Sequence, residues 1–347
     1  MITGFSVDRP RWFKFVRGGI YGLAGLAAIA TILGCAGRWW WGWELLDHPR
    51  PQYCWMLLAA LLLGGWRRQR WSLIWVLPLF LNLGLFAPLF LPAHQVRTLA
   101  SEPTLHLLNL TLDREQPEHM GQAIAYINAQ TADLIWLIEV TPTSLAQLQA
   151  GLYQYQIVAA VPRDNSHGSA LLLNRQSMAA IAVQRTQIIH LPADSARPML
   201  ETVITWAGHS IALLSFQATR PRNAETSAFQ QVELTAGAAW SQQQLQQGRQ
   251  VVMIGDFNTT PWSGRFRQLL QDSQLLNSQQ SFGLQPTWNA HWPPLFRIAI
   301  DHCLHSQSLI VTDRAIGDDI GSDHLPLEVK LRLYLSSIQG GIGRNTD

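Results

Sequence analysis

Cysteine is scarce in this sequence, with three residues in a chain of 347. Cys35 and Cys54 lie in apolar runs, and only Cys303 lies in the more polar part that follows. A single cysteine there excludes a disulfide bond within that part, and it also excludes a cysteine-rich zinc site. The cysteines do not decide which redox compartment the protein occupies.

The part of the chain after residue 92 also has no excess of positive charge. Residues 93–347 carry 16 Lys and Arg against 20 Asp and Glu, about −4, whereas residues 1–92 carry nine against three, about +6. Tight non-specific binding to duplex DNA requires a basic surface, so the charge disfavours that ligand for residues 93–347. This part has no internal repeats and no linker, and we predict a single domain.

Long apolar runs are absent after residue 92, and three occur before it. Residues 18–37 and 71–92 are uncharged and long enough to cross a hydrocarbon core of roughly 30 Å. Residues 53–66 are short for a membrane span unless the flanking arginines extend outward at both ends. A cleaved signal peptide would explain only the first run. We therefore predict a membrane anchor with about three transmembrane helices over residues 1–92.

Basic residues flank the predicted spans unevenly, and such residues favour the cytoplasmic side of a membrane. Four precede the first span and three separate the second from the third: Arg9, Arg11, Lys14 and Arg17, then Arg67, Arg68 and Arg70. With three spans, the domain at 93–347 is extracytoplasmic and the lipid bilayer is a partner. If 53–66 only dips into the bilayer, that domain lies on the cytoplasmic side instead.

Short apolar runs alternate with amphipathic stretches in the second part of the chain. Patterns typical of strands occupy residues 105–112, 133–140, 169–175, 200–208, 209–217 and 250–258, and helical spacing occurs over 119–130, 143–152 and 224–247. This mixture of strands and helices predicts an α/β sandwich of two sheets.

Polar side chains recur where the apolar runs end or begin, and a sheet can present such positions into one cleft. They are Asn109, Glu139, Asp256 and Asn258, then Asp301 and His302 after a predicted apolar strand at 295–300, and Ser322, Asp323 and His324 before the last run. A cation such as Mg²⁺ prefers a few oxygen ligands and keeps open positions for phosphate and water. Phosphoester hydrolysis also needs a group that positions water and donors to the phosphoryl oxygens. The clusters supply both, which predicts a metal-dependent phosphoesterase.

Three of these segments resemble the signature blocks of the endonuclease/exonuclease/phosphatase superfamily. They are GDFNTTP at 255–261, IDHCLHS at 300–306 and GSDHLPLEV at 321–329. The resemblance covers about residues 103–334. It implies a four-layered α/β sandwich of two mixed sheets flanked by helices, and dependence on Mg²⁺ or Mn²⁺. It also implies hydrolysis of a phosphomonoester or phosphodiester by in-line attack of a metal-oriented water.

The resemblance also implies a role for each matching residue. Glu139 is the principal metal ligand, with Asn109 beside it and Asp323 near the metal. Asp256 orients or deprotonates the attacking water, and Asn258 hydrogen-bonds the scissile phosphate. His324 contacts a phosphoryl oxygen or assists proton transfer, and Asp301 pairs with His324 and fixes its ring.

The segment SFQATRP at 215–221 departs from the family pattern, because Gln217 stands where a histidine is usual. Glutamine donates a hydrogen bond but supplies no proton at neutral pH, so either metal-bound water protonates the leaving group or the rate is reduced. Arg220 is a candidate for contact with substrate phosphates, or a solvated surface residue. His167 is a candidate cleft residue, or a solvated loop histidine. We treat all three as candidate substrate-binding residues.

Three functions remain open from the sequence. The first is a phosphoesterase acting near the outer membrane face on a phospholipid headgroup, a nucleotide or nucleic acid. The second is a metal-dependent nuclease, which the acidic charge of 93–347 disfavours. The third is a catalytically weak binding protein of the same family, which the retention of five site residues disfavours: Glu139, Asp256, Asn258, Asp301 and His324. No protein partner is inferred.

Overall fold

The computed structural model describes residues 11–92 and 103–334. The chain forms two compact units, Met1–Pro88 with Trp262–Gly264, and Leu89–Pro261 with Arg265–Asp347. Arg9, which contributes to the predicted membrane orientation, and the start of the predicted catalytic domain at residue 93 lie outside the described residues. The domain boundary and the side of the membrane therefore stay predictions.

The first unit is helical. Its helices are α1 (Arg11–Cys35), α2 (Trp41–Glu44), α3 (Arg50–Trp66) and α4 (Val76–Phe86). Ala24 on α1 and Ala60 on α3 are fully buried, and such small side chains let helices pack closely. Arg50 is also buried, where it pairs with Asp47 and donates to Asn82 Oδ1 at 2.8 Å. A buried guanidinium requires partners of this kind.

Two helical stretches, Trp12–Cys35 and Arg70–Phe90, are long and apolar enough to cross a membrane, judged by length and composition alone. Core helices of soluble proteins and signal sequences have the same property. At 17 residues, α3 is at the short end of the range for a membrane span. The helices coincide in position with the three predicted spans, and membrane crossing stays a prediction.

The second unit alternates strands and helices. The strands are β1 (Leu105–Thr111), β2 (Leu134–Ile138), β3 (Tyr155–Val161), β4 (Ser169–Asn174), β5 (Ile181–His190), β6 (Pro198–Trp206), β7 (His209–Gln217), β8 (Gln250–Asp256), β9 (Leu276–Asn277), β10 (Asp301–His305), β11 (Leu309–Ile316) and β12 (Leu327–Leu333). The helices are α5 (Met120–Ala129), α6 (Pro142–Gly151), α7 (Ala224–Gln246) and α8 (Gly264–Ser273). Each predicted strand from 105 to 258 and each predicted helix is present.

The strands form two six-stranded sheets, in the orders β11-β12-β1-β2-β4-β3 and β5-β6-β7-β8-β10-β9. The pairs β1–β2 and β7–β8 are parallel, and the other pairs in each sheet are antiparallel. Both sheets are therefore mixed. Each parallel pair lies in the middle of its sheet, so the carboxyl ends of two central strands meet at one edge.

The hydrophobic core lies in three layers. Leu107 and Trp136 of the first sheet pack with Leu213 and Ile254 of the second, which joins the two sheets face to face. Apolar side chains of α5 and α6 cover the outer face of the first sheet, and those of α7 and α8 cover the outer face of the second. The predicted four-layered α/β sandwich is confirmed.

The strand predicted at 295–300 is wrong. Pro294–Phe296 forms a single 3₁₀ turn, and the strand begins at Asp301 instead. Pro293 and Pro294 stand directly before the stretch 295–300 and lack the backbone N–H that a strand donates, and within it Ile298 makes an isolated β-bridge with Trp288. Asp301 thus opens a strand, and because β10 runs antiparallel to β8 it still lies directly opposite Asp256 at the end of β8.

Candidate active site

The candidate residues gather at the carboxyl edge of the two central parallel pairs. Asn109 lies in β1, and Glu139 directly follows β2. In the second sheet, Asp256 lies in register with Gln217 on one side and with Asp301 on the other. Sheet register alone therefore brings together side chains from β7, β8 and β10, which are separated by tens of residues in the sequence.

Glu139 is held in an uncommon backbone conformation, with a φ of 63°. A non-glycine residue there is strained, and such strain is typical of functional sites. Burial raises the pKa of the Glu139 carboxyl to about 7, although the positive charge of His324 opposes the shift. Arg114 Nε lies 3.6 Å from Glu139 Oε2. The carboxylate thus lies in a poorly solvated position with cationic groups around it.

Asn109 is buried, with 1% of its surface exposed. Its side-chain oxygen Oδ1 has no hydrogen-bond partner within the part of the chain that the structure describes. A buried amide oxygen without a partner costs roughly 1–3 kcal/mol. An oxygen left in this way is suited to accept a cation as its partner.

Asp256 and Asn258 form one hydrogen-bonded unit. The backbone N–H of Asn258 donates to Asp256 Oδ1 at 2.8 Å, and its side-chain Nδ2 donates to Asp256 Oδ2 at 2.7 Å and to the Ala218 carbonyl at 2.9 Å. From α7, Gln230 Nε2 donates to the Asn258 carbonyl at 2.8 Å. Burial raises the pKa of the Asp256 carboxyl, against the charge of His324. The carboxylate is thereby fixed, and it is more basic than an exposed aspartate.

The glycine of the GDFN segment is required by close packing. Gly255 has a φ of 146°, and a Cβ atom built on it would lie 2.0 Å from the Phe216 carbonyl oxygen. No other residue type fits that space, because the contact is with backbone and cannot move aside. Gly255 therefore lets β7 and β8 approach closely enough to bring Gln217 beside Asp256.

His324 and Asp301 form a buried pair, with His324 Nδ1 2.8 Å from Asp301 Oδ2. Burial alone would lower the pKa of His324, but the charge and hydrogen bond of Asp301, with further carboxylates nearby, raise it to about 10. The ring is therefore an imidazolium at neutral pH. With Nδ1–H donating to Asp301, its Nε2–H is the second donor of the ring.

Asp323 and Arg220 are linked through Trp288. Trp288 Nε1 donates to Asp323 Oδ2 at 2.8 Å, and the Arg220 guanidinium lies 4.6 Å above the centre of the Trp288 ring. Trp288 also forms a β-bridge with His324. Arg220 is exposed, and stacking on an aromatic ring restricts its position at the rim of the site.

Gln217 is 8% exposed and lies at the end of β7 opposite Asp256. His167 is half-buried in the loop before β4. Burial lowers the pKa of His167 to about 4, and the charges of Arg197, Arg114 and Arg163 lower it further. His167 is thus a neutral ring in a cationic environment, which makes it a hydrogen-bonding group and not a charge.

The structure also brings Arg197 and Gln230 to this edge, and the sequence patterns do not single out either. Arg197 precedes β6 in a segment without a motif, and Gln230 lies in the glutamine-rich helix that resembles a solvated face. His302, by contrast, is fully buried, with Nε2 2.8 Å from the Thr259 carbonyl and its ring packed 4.4 Å from that of Phe266.

In residues 11–92 and 103–334, no group of three or more His, Cys, Asp or Glu side chains is arranged to hold a metal ion. Mg²⁺ usually keeps several waters and binds only one or two protein carboxylates, so a magnesium site does not require such a group. Asn109 Oδ1 and the Glu139 carboxylate are oxygen donors of the correct type. The donor set is thus compatible with a hard divalent cation.

Comparisons with known proteins agree with this arrangement. A model of the Endonuclease/Exonuclease/phosphatase family matches residues 107–324. No curated protein sequence matches the chain. Solved structures that match include the endonuclease/exonuclease/phosphatase from Bacteroides vulgatus, at 16% identity over 67% of this chain and 100% of that one, with a TM-score of 0.54.

Two further structures match at similar levels. D. rerio TDP2 complexed with single strand DNA product is 15% identical over 66% of this chain and 99% of that one, with a TM-score of 0.53. The human Nocturnin catalytic domain with bound sulfate anion is 16% identical over 67% and 95%, with a TM-score of 0.52. At these identities the likeness shows a shared fold. The family match runs from β1 to His324, and the chain therefore belongs to the endonuclease/exonuclease/phosphatase family.

Proposed function

We propose that this protein is a membrane-anchored, divalent-metal-dependent phosphoesterase that hydrolyses a phosphomonoester or phosphodiester. Members of its family are generally hydrolases that act on phosphoesters and use divalent metal ions. The observation that carries the proposal is the register of Asp256 opposite Asp301, with Asp301 bonded to His324. Attack of water on phosphorus requires a base for the water and a donor that stabilises the developing negative charge. A fixed carboxylate and a fixed imidazolium that lie beside each other supply these two groups.

Glu139 and Asn109 are the residues proposed to hold the cation, Mg²⁺ or Mn²⁺. Asn109 Oδ1 has no protein partner among the described residues, and the Glu139 carboxyl is buried within the electrostatic influence of His324. When bound there, the cation would polarise the phosphoryl oxygen and make a bound water more acidic. Asp323 is proposed to lie close to it, with one carboxylate oxygen already bound by Trp288.

Asp256 is proposed to orient the attacking water and to accept its proton. Burial raises the pKa of this carboxyl, which makes it a better base near neutral pH. Both amide hydrogens of Asn258 are used by Asp256 and by the Ala218 carbonyl. We therefore propose that Asn258 first positions Asp256, and that a hydrogen bond from Asn258 to the phosphate replaces one of these two.

His324 is proposed to donate its Nε2–H to a phosphoryl oxygen. The imidazolium stabilises the negative charge that grows on that oxygen, and Asp301 fixes the ring and keeps it protonated. Gln217 donates a hydrogen bond at the same edge but supplies no proton. Substrates whose leaving group has a low pKa are therefore expected to react fastest.

The substrate is proposed to lie at the membrane in which residues 1–92 are anchored, with residues 93–347 on the extracytoplasmic side. A phospholipid headgroup or an extracytoplasmic nucleotide or nucleic acid is compatible with this location. The apolar helices over Trp12–Cys35 and Arg70–Phe90 support anchoring by their length and composition. The position of the basic residues beside them supports the orientation.

Turnover by the full chain in detergent tests the proposal. Hydrolysis of bis-p-nitrophenyl phosphate should require Mg²⁺ or Mn²⁺ and should stop with EDTA. Asp256→Ala and His324→Ala should each reduce kcat at least about a hundredfold, and Asp313→Ala, which removes an exposed carboxylate paired with Lys330, should not. A panel of phospholipids, nucleotides and single-stranded DNA then separates the substrates. No metal binding and no turnover on any phosphoester would refute the proposal.

A further inference from the structure

Arg197 is a buried cation at the candidate active site to which the mechanism above gives no role. It is 7% exposed and precedes β6 in the hairpin that follows β5. Burial lowers the pKa of its guanidinium, and the charges of Glu233, Asp256 and Glu139 raise it in that order. Two of those three carboxylates belong to the proposed catalytic groups, so Arg197 lies within electrostatic reach of the reacting centre.

The contacts of Arg197 also lie beside that centre. Its Nη2 lies 3.5 Å from Thr219 Oγ1, and its Nε lies 3.5 Å from Glu233 Oε1. Thr219 directly follows Ala218, whose N–H donates to the Asp256 carbonyl and whose carbonyl accepts from Asn258 Nδ2, each at 2.9 Å. The guanidinium is thus one residue away from the segment that fixes Asp256 and Asn258.

Glu233 is fixed from the other side. The Thr219 N–H donates to Glu233 Oε2 at 2.6 Å, and the Thr219 hydroxyl donates to Oε1 at 3.1 Å. Glu233 is fully buried at the inner face of α7. Both carboxylate oxygens of Glu233 therefore accept hydrogen bonds from Thr219, and Oε1 also pairs with one edge of the Arg197 guanidinium.

The guanidinium of Arg197 has unused donors within the part of the chain that the structure describes. It carries five N–H donors, and one of them donates from Nη2 to Thr219 Oγ1. Its buried Nε lies 3.5 Å from Glu233 Oε1 as an ion pair but makes no hydrogen bond to the described residues. Nη1 has no hydrogen-bond partner among residues 11–92 and 103–334. A buried ion pair is costly to keep, and an unpaired donor edge adds to that cost. This combination is expected where a ligand supplies the missing acceptors.

We propose that Arg197 is a phosphate-binding residue of this site, and that its free guanidinium edge binds two non-bridging oxygens of the substrate phosphoryl group. This inference rests on the proposed function. A planar guanidinium matches a phosphate in a two-point contact, which the point charge of lysine does not reproduce. Arg197 and the His324 imidazolium then bring two positive charges to the phosphoryl group. Arg197 therefore acts on the transition-state charge and not on proton transfer.

The test compares Arg197→Lys with a matched control, Arg185→Lys, in the full chain. Arg185 also pairs with a buried glutamate, Glu201, but on strand β5 and away from the candidate residues. We expect Arg197→Lys to lower kcat on bis-p-nitrophenyl phosphate by about tenfold or more and to weaken binding of inorganic phosphate by a similar factor. Arg185→Lys should change neither quantity.

Removing the charge altogether requires a double variant, because Arg197→Ala alone leaves Glu233 buried without a cation. Arg197→Ala with Glu233→Gln should fold, bind inorganic phosphate at least about tenfold more weakly and lose about a hundredfold in kcat. Free guanidine should restore part of that rate, which a purely structural defect would not show. Wild-type phosphate affinity in both Arg197 variants, at an unchanged melting temperature, would overturn the inference. If wild-type protein hydrolyses no phosphoester, phosphate affinity still tests Arg197 independently.

Discussion

Replacing Asp301 with asparagine should change the dependence of kcat on pH more than it changes the maximum value of kcat. Asp301 accepts a hydrogen bond from His324 at 2.8 Å and supplies the largest favourable influence on its positive charge. With asparagine in its place, burial lowers the pKa of His324 while Asp256 and Asp323 still raise it. We therefore expect the pKa to fall from about 10 to near the ordinary value of about 6.5.

The size of the effect follows from the protonated fraction of His324. In the wild-type protein the ring stays protonated up to a pH of about 10. In Asp301→Asn, a pKa of about 6.5 leaves roughly 3% protonated at pH 8 and roughly three quarters protonated at pH 6. The rate of the variant relative to wild type should thus fall about thirtyfold at pH 8 and less than twofold at pH 6.

The assay is the ratio of kcat for variant and wild type on one phosphoester between pH 6 and 9, at saturating metal. Asp313→Asn, an exposed aspartate paired with Lys330, should give a ratio near one at every pH. A ratio for Asp301→Asn that does not change with pH would refute the assignment of His324 as a donor kept charged by Asp301.

Two further predictions concern stability. Gly255→Ala should lower the free energy of unfolding by roughly 2–4 kcal/mol, because its Cβ would lie 2.0 Å from a backbone oxygen and its φ is positive. Gly121→Ala is the control, because nothing lies within 4 Å of the added Cβ, and it should not lower the melting temperature. Burial lowers the pKa of His302 to about 3, so the unfolded chain binds a proton below pH 6.5 that the folded chain refuses until pH 3. The contribution of neutral His302 to the free energy of unfolding is therefore fully present above pH 6.5 and is lost as the pH falls from 6.5 to 3. In urea unfolding, His302→Gln should reduce the slope of the free energy of unfolding against pH by up to about 1.4 kcal/mol per pH unit in that range. An unchanged slope would contradict the assignment.

Elements that are buried on both faces were predictable from the sequence. The runs that became β1, β2, β4 and β8 are nearly all apolar and almost fully buried, which is the pattern of central strands. By contrast β5 has mostly exposed or half-buried positions and lies at a sheet edge, so its pattern gives no signal. The polar strand β10 is fully buried, with the His302 ring packed on Phe266 of α8, and the local sequence does not show this tertiary contact.

The candidate site divides in the same way. Glu139, Asp256 and His324 lie in short motifs, so residue type and spacing suffice to select them. Arg197 lies in no such motif, because its position depends on the pairing of β6 and β7 and on a contact with Glu233 of α7. Side chains brought together by tertiary packing alone carry no local pattern that sequence reasoning can use.

Pairing of the last strand with the first has a consequence for biosynthesis. β12 is hydrogen-bonded to β1, with Leu327 opposite Asn109. A ribosome must therefore synthesise residues 327–333 before the first sheet can close, and until then one edge of β1 has no neighbour. Shortened chains that stop before Leu327 would lose β12, which follows His324, and would keep an unpaired edge on β1. Until β12 is present, that edge of β1 can pair with a strand of another chain, which is a route to aggregation.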